Sequence, residues 1–175
     1  MGTRNHPTLS NQPYFVTAVT KDRQPIFRNR QAVDLMLKEL AQLRNELGFS
    51  LLAYAVMPDH IHLLVAPSAA ADLSRIMQSV KGRFARLWNR QLRGQGSLWQ
   101  PRYYESAVRT EAQLMKWIEY IHRNPVQAGF TSTSEEYVYC SSGGRLGTDL
   151  DAYLSGSWPG RAQARPSEKH GSCAL

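Results

Sequence analysis

The sequence predicts an α+β fold in a single domain: an antiparallel sheet of four to five strands carrying helices, of the ferredoxin-like, split βαβ kind. Three observations predict it. Runs dense in β-branched and aromatic residues alternate with stretches whose apolar residues recur every three or four positions, in the order strand, helix, strand, strand, helix, strand, helix. Only Pro58-Asp59 separates the second and third apolar runs, a spacing that joins antiparallel strands. The length of 175 residues, with 42% hydrophobic and 20% charged content, suits one globular core with some chain left over.

The elements follow in order. Residues 1–12 are polar and aperiodic and read as a flexible lead-in. Tyr14 to Thr20 is the first strand, and Ile26-Phe27, after a polar turn, is expected to extend it or pair with it. From Arg30 to Leu47 the period changes: Val33, Met36, Leu37, Leu40, Leu43 and Leu47 form one helical stripe, and Gly48 stops it. Phe49 to Met57 and His60 to Ala66 are the second and third strands. Asp72 to Leu92 is a second helix, with Leu73, Ile76, Met77, Val80, Phe84 and Leu87 on its apolar side. Leu98 to Val108 is the fourth strand. Thr110 and Gln113 match a capping box, and the third helix is expected to end near Asn124, because Pro125 disfavours helical backbone in the residue before it. Beyond about Arg145 the chain turns Gly-, Ser- and Pro-rich. The domain is therefore expected over 13–145, with a disordered basic tail over 146–175.

Charge limits the partners. Lys and Arg number 21 against 14 Asp and Glu, a net +7, which points to a polyanion and most simply to nucleic acid. Arg75, Arg83, Arg86, Arg90 and Arg93 run along one stripe of the second helix with almost no acidic partners at helical spacing, a candidate phosphate-binding row. Trp99 and Tyr103 are candidates to stack on bases, as is Tyr104. No apolar stretch is long enough to span a membrane and no apolar leader opens the chain, so a cytoplasmic protein is expected. Two late cysteines, Cys140 and Cys173, make neither a disulfide framework nor a metal knuckle.

Chemistry concentrates in two places. On a strand, His60 and His62 lie on one face about 7 Å apart, with Ile61, Leu63 and Val65 facing the other way into a core. Two imidazoles so placed can converge on one metal ion or simply pack. On the third helix Tyr120 and Asn124 are four residues apart and share a face, on the flank of the Leu114, Ile118, Ile121 core stripe.

Pro58-Asp59-His60-Ile61-His62-Leu63-Leu64, followed by Tyr120-Ile121-His122-Arg123-Asn124-Pro125 after a Trp-Gln-x-Arg-Tyr-Tyr segment, resembles the IS200-like single-tyrosine (Y1, HUH-type) transposases, and more closely their REP-associated branch. The resemblance spans residues 12–145. It implies that His60 and His62 bind a divalent cation, Mg²⁺ or Mn²⁺, with Asn124 as third ligand at a position where many relatives carry Gln. It implies that Tyr120 is the catalytic nucleophile. Its phenol, an ordinarily weak nucleophile at neutral pH, would form a 5′-phosphotyrosine on single-stranded DNA bearing a REP-like hairpin and release a 3′-hydroxyl for strand transfer. A domesticated hairpin-binding module without turnover, and a metal-dependent phosphodiesterase in which Tyr120 is incidental, are the competing readings. The family includes monomers and homodimers, and either state fits.

Overall fold

Pro58 and Asp59 turn the chain through a tight hairpin that leads from an edge strand of the sheet into a central one. The structure is a computed structural model that describes residues 11–92 and 96–156. Strands β1 (Tyr14–Val19), β2 (Ser50–Met57), β3 (His60–Ala66) and β4 (Tyr104–Ala107) form one sheet in the order β2-β3-β1-β4, antiparallel throughout. With α1 (Arg30–Leu47) and α2 (Leu73–Gln91) in the connections, this is the expected split βαβ arrangement with four strands.

The two faces of the sheet are covered by different helices, and that division decides where chemistry can occur. Val16, Ala18, Tyr54, Val56, Ile61, Leu63 and Val65 face α1 and α2 in the larger core. Phe15, Leu64, Ala55 and Met57 face α3 (Glu111–Gln127) and α4 (Leu150–Ser155) in the second. A bulge between Leu51 and Ala53 shifts the β2 register, so Leu52 and Ala53 both join this second core. The outer edge of β2 is closed by the chain at 139–140: Val56 donates to the Tyr139 carbonyl, and Ala55 bridges Cys140.

Four expectations are corrected. The fourth strand is confined to Tyr104–Ala107; upstream only Trp99 bridges Thr20, and the ammonium of Lys81 takes the carbonyls of Gln100 and Pro101 that a longer strand would have offered to a neighbour. Ile26–Arg28 is a 3-10 turn rather than a strand, because Phe27 donates to Pro58 and so docks on the β2–β3 hairpin. The stretch after Arg145 is ordered at least to Gly156: α4 buries Tyr153, and Asp149 accepts from the Leu51 amide. Residues 1–10 and 157–175, expected to be flexible, lie outside the described residues.

The fourth correction concerns α3, which runs through Pro125 to Gln127. Proline has no N–H for the carbonyl of Ile121, and the buried thiol of Cys140 points its sulfur at that carbonyl, 3.8 Å away. The helix then ends in a Schellman motif: Gly129 takes left-handed backbone (φ +74°) and donates to Val126, and Phe130 donates to Pro125. The cap expected at the other end is present, with Thr110 Oγ1 accepting from the Gln113 amide at 3.2 Å. Gln113 reaches back to the amide of Arg109 rather than to that of Thr110.

Candidate active site

Alternation along β3 puts His60 and His62 on the α3 side of the sheet, with Ile61, Leu63 and Val65 in the opposite core, as the sequence pattern requires. Cross-strand pairing supplies their neighbours: Thr17 and Ala55 flank His62, and Val19 and Met57 flank His60. Packing of α3 over this face buries His62 to 4% exposure, while His60 keeps an open edge. Trp117 stacks flat on Phe15 at 3.9 Å between ring centroids and anchors the helix. Tyr120, one turn on, sets its ring edge-on to His62 at 5.4 Å and to Phe15 at 5.6 Å, and is 40% exposed.

A row of polar contacts crosses the site. Arg23 pairs with Asp59 Oδ2 at 3.0 Å, and Asp59 Oδ1 meets His60 Nδ1 at 2.6 Å. His60 Nε2 faces His62 Nε2 at 3.1 Å, and His62 Nδ1 meets Thr17 Oγ1 at 2.8 Å. Partial burial works to raise the carboxyl of Asp59, but hydrogen bonds from His60 and Arg23 outweigh it and hold it below its ordinary value. An ionised Asp59 accepts from His60 Nδ1, and the neutral form of that ring then has its lone pair on Nε2. Without a metal, one proton between the two Nε2 atoms satisfies the pair, with Thr17 donating to His62. With Thr17 accepting instead, both lone pairs point into the same space and repel unless a cation lies there.

The donor set fits a divalent cation. Burial, and next the neighbouring His60, push His62 down to about 3, so it is the neutral imidazole that metals bind. Asp59 and Thr17 hydrogen-bond the Nδ1 atoms of the two rings, the kind of outer contact that fixes imidazole orientation. Among the described residues no group of three His, Cys, Asp or Glu side chains is arranged to hold a metal ion. The side-chain amide of half-buried Asn124, which lines the same cleft as His60, is a candidate third donor.

A pH dependence follows. Unfolded, His62 takes a proton below about 6.5; folded, it resists to about 3. Stability is thus indifferent to this group above pH 6.5 and falls as pH drops below it, by up to about 1.4 kcal/mol per unit. In EDTA, urea unfolding at pH 5 should show about 2 kcal/mol less stability than at pH 7. His62→Gln should remove most of that difference; an unmoved wild-type midpoint would refute the burial argument.

The other candidates scatter. The helix bearing Arg75, Arg83, Arg86 and Arg90 lies across the sheet from the histidines. Arg75, Arg86 and Arg90 are exposed there, whereas Arg83 is engaged by Glu39, Glu46 and Gln42 of α1. Arg93 lies outside the described residues. Trp99 is corrected from a stacking surface to a core residue: it is 6% exposed and its indole N–H donates to the Lys81 carbonyl. Tyr103 is half-buried beneath the Lys81 ammonium, also on the α2 side. Tyr104, exposed, pairs with Thr17 and approaches Phe15, so it is the β4 aromatic on the histidine side. Phe15, Thr17, Asp59 and Arg23 were missing from the sequence reading. Asp59 adjoins His60 in sequence, and Thr17 could be found only through the strand register.

Known proteins were compared with this chain. A sequence profile described as "Transposase IS200 like" matches residues 8–124. A Haemophilus influenzae protein named as a candidate REP-associated tyrosine transposase is 27% identical over 138 residues, 73% of this chain and 78% of its own length. The REP-associated tyrosine transposase of Escherichia coli is 23% identical over 127 residues, 72% of this chain and 73% of its own. Among solved structures, a REP-associated tyrosine transposase bound to a REP hairpin superposes with a TM-score of 0.69 at 21% identity, covering 81% of this chain and 82% of that one; the likeness is one of fold.

Proposed function

Because the chain belongs to the IS200-like transposase family, we propose that it cleaves and rejoins single-stranded DNA carrying a hairpin, through a covalent link to Tyr120 and with a divalent metal at His60 and His62. The carrying observation is the meeting of two elements far apart in sequence: the facing Nε2 atoms of β3, 3.1 Å apart, lie beside the Tyr120 ring of α3, 5.4 Å from His62. The hairpin substrate is suggested by the solved relative of the same fold, which is bound to a REP hairpin.

Each residue has a task in this reading. His60 and His62 hold the cation, Asn124 adds an amide oxygen, and Asp59 and Thr17 fix the imidazole orientations. Bound Mg²⁺ or Mn²⁺ supplies Lewis-acid stabilisation of charge on the scissile phosphate. Packing of Tyr120 against Phe15, Trp117 and His62 restricts its ring before substrate arrives. The phenolic oxygen attacks phosphorus and loses its proton to solvent. The new bond joins Tyr120 to the 5′-phosphate; the P–O3′ bond breaks, and the released oxygen is protonated to a 3′-hydroxyl. A second 3′-hydroxyl reverses the step and joins strands without an external energy source.

The test is covalent trapping. Incubated with Mn²⁺ and end-labelled single-stranded hairpin DNA, the protein should give an adduct that survives denaturing electrophoresis and disappears in EDTA. Cleavage without an adduct would favour a phosphodiesterase. Binding without cleavage on every strand tried would favour a hairpin-binding module.

A further inference from the structure

From the cleft beside His60 we infer a second binding site, a subsite for one unpaired nucleotide next to the bond being cut, with its base on Phe130 and its phosphate on Arg28 and Arg23. This rests on the reading of the site as one that handles single-stranded DNA. The cleft, of about 320 Å³, is lined by Met57, Pro58, His60, Asn124 and Phe130 together with Arg23 and Arg28.

Three features make it a nucleotide site rather than a packing defect. Phe130 is 46% exposed although it is wholly apolar, and among the described residues its one aromatic ring neighbour is Tyr137, 6.0 Å away. It is held there by backbone: Gly129 in left-handed conformation and the Phe130 N–H to the Pro125 carbonyl fix it at the end of the helix that carries Tyr120 and Asn124. A ring so exposed and so fixed is a stacking platform, tolerant of base identity because it offers no hydrogen bond.

The lining is also cationic, and part of it is built under strain. Asp22 and Arg23 both have positive φ, +53° and +51°, a conformation that costs an arginine energy. The turn is kept by buried Thr20, whose hydroxyl reaches the carbonyls of Gln24 and Asp59, and by the Phe27 amide on Pro58. Arg23 is thereby placed on Asp59. Arg28 is exposed and in no ion pair with a described residue. Asp59, the one carboxylate in the lining, is shared between Arg23 and His60, so the cleft retains positive charge for a phosphate.

The experiment separates base from backbone and requires no turnover. Fluorescein-labelled dT10, and a ten-unit abasic strand of the same charge, are titrated into the full-length protein in EDTA and followed by anisotropy. Phe130→Ala should weaken dT10 binding about tenfold and leave the abasic strand unchanged, while Phe130→Trp retains affinity. Arg28→Ala should weaken both strands and reduce the slope of log affinity against log salt by about 0.7. The subsite is refuted if Phe130→Ala binds dT10 like wild type, or if it loses both strands equally. An adduct in the Mn²⁺ assay together with either result would sink the subsite and keep the cleavage reading. The Phe130 effect without any adduct would keep the subsite and sink cleavage.

Discussion

Tyr120→Phe should abolish the covalent protein–DNA adduct completely while leaving the protein folded and able to bind the strand. The substitution removes one oxygen. The ring keeps its edge-on contacts with His62, Phe15 and Trp117, so packing on the sheet is unchanged. The phenol is 40% exposed, and removing its hydroxyl opens no cavity. Thermal unfolding and strand affinity should therefore match wild type within experimental error, and only the band that survives denaturation should vanish. A wild-type yield of adduct from Tyr120→Phe would transfer the nucleophile role elsewhere. Tyr104 would then be the first candidate, because it is exposed on the same face and pairs with Thr17.

Arg83→Ala should destabilise the fold by about 3 kcal/mol without weakening DNA binding. Arg83 has the position of a DNA contact in the sequence, the second arginine of a basic stripe. In the fold its guanidinium spans α1 and α2, meeting Glu39 at 2.5 Å and Glu46 at 2.6 Å. Glu39 is the group that matters: its side chain is 6% exposed among the apolar residues of α1, and Arg83 is its counter-ion. Removing the arginine leaves a carboxylate without partner or full hydration, whereas removing both should recover much of the loss. Urea melts of Arg83→Ala, Glu39→Leu and the double variant form the cycle that checks this. A single variant as stable as wild type would show the pair to be idle. A variant of normal stability with much weaker strand binding would restore Arg83 to the DNA surface.

Local rules carried the sequence reading a long way. The α1 stripe and Gly48, the Thr110 cap, the hairpin at Pro58-Asp59 and the shared face of His60 and His62 all depend on neighbours within a few residues, and all are found where expected. Two kinds of fact were hidden. One is which face of the sheet a helix covers: nothing in the arginine spacing of α2 says that it packs opposite the histidines. The other is what distant segments offer at a given point. The Cys140 sulfur that faces the Ile121 carbonyl is 19 residues from it, and Thr17 is 45 residues from His62. The expectation that α3 would stop at Asn124 failed because a tertiary contact compensates a local defect.

That defect changes how α3 is held together. In an unbroken helix the Ile121 carbonyl and residue 125 would be joined by a backbone hydrogen bond; here the carbonyl is met by the Cys140 sulfur at 3.8 Å. Tyr120 lies just before this point, and Asn124 and Phe130 lie at or beyond it. The helix therefore lacks one backbone hydrogen bond between Tyr120 and the end that carries Asn124 and leads to Phe130. The half before the proline is anchored by Trp117 on Phe15. The proline thus exchanges one local backbone bond of α3 for a tertiary contact to the Cys140 thiol.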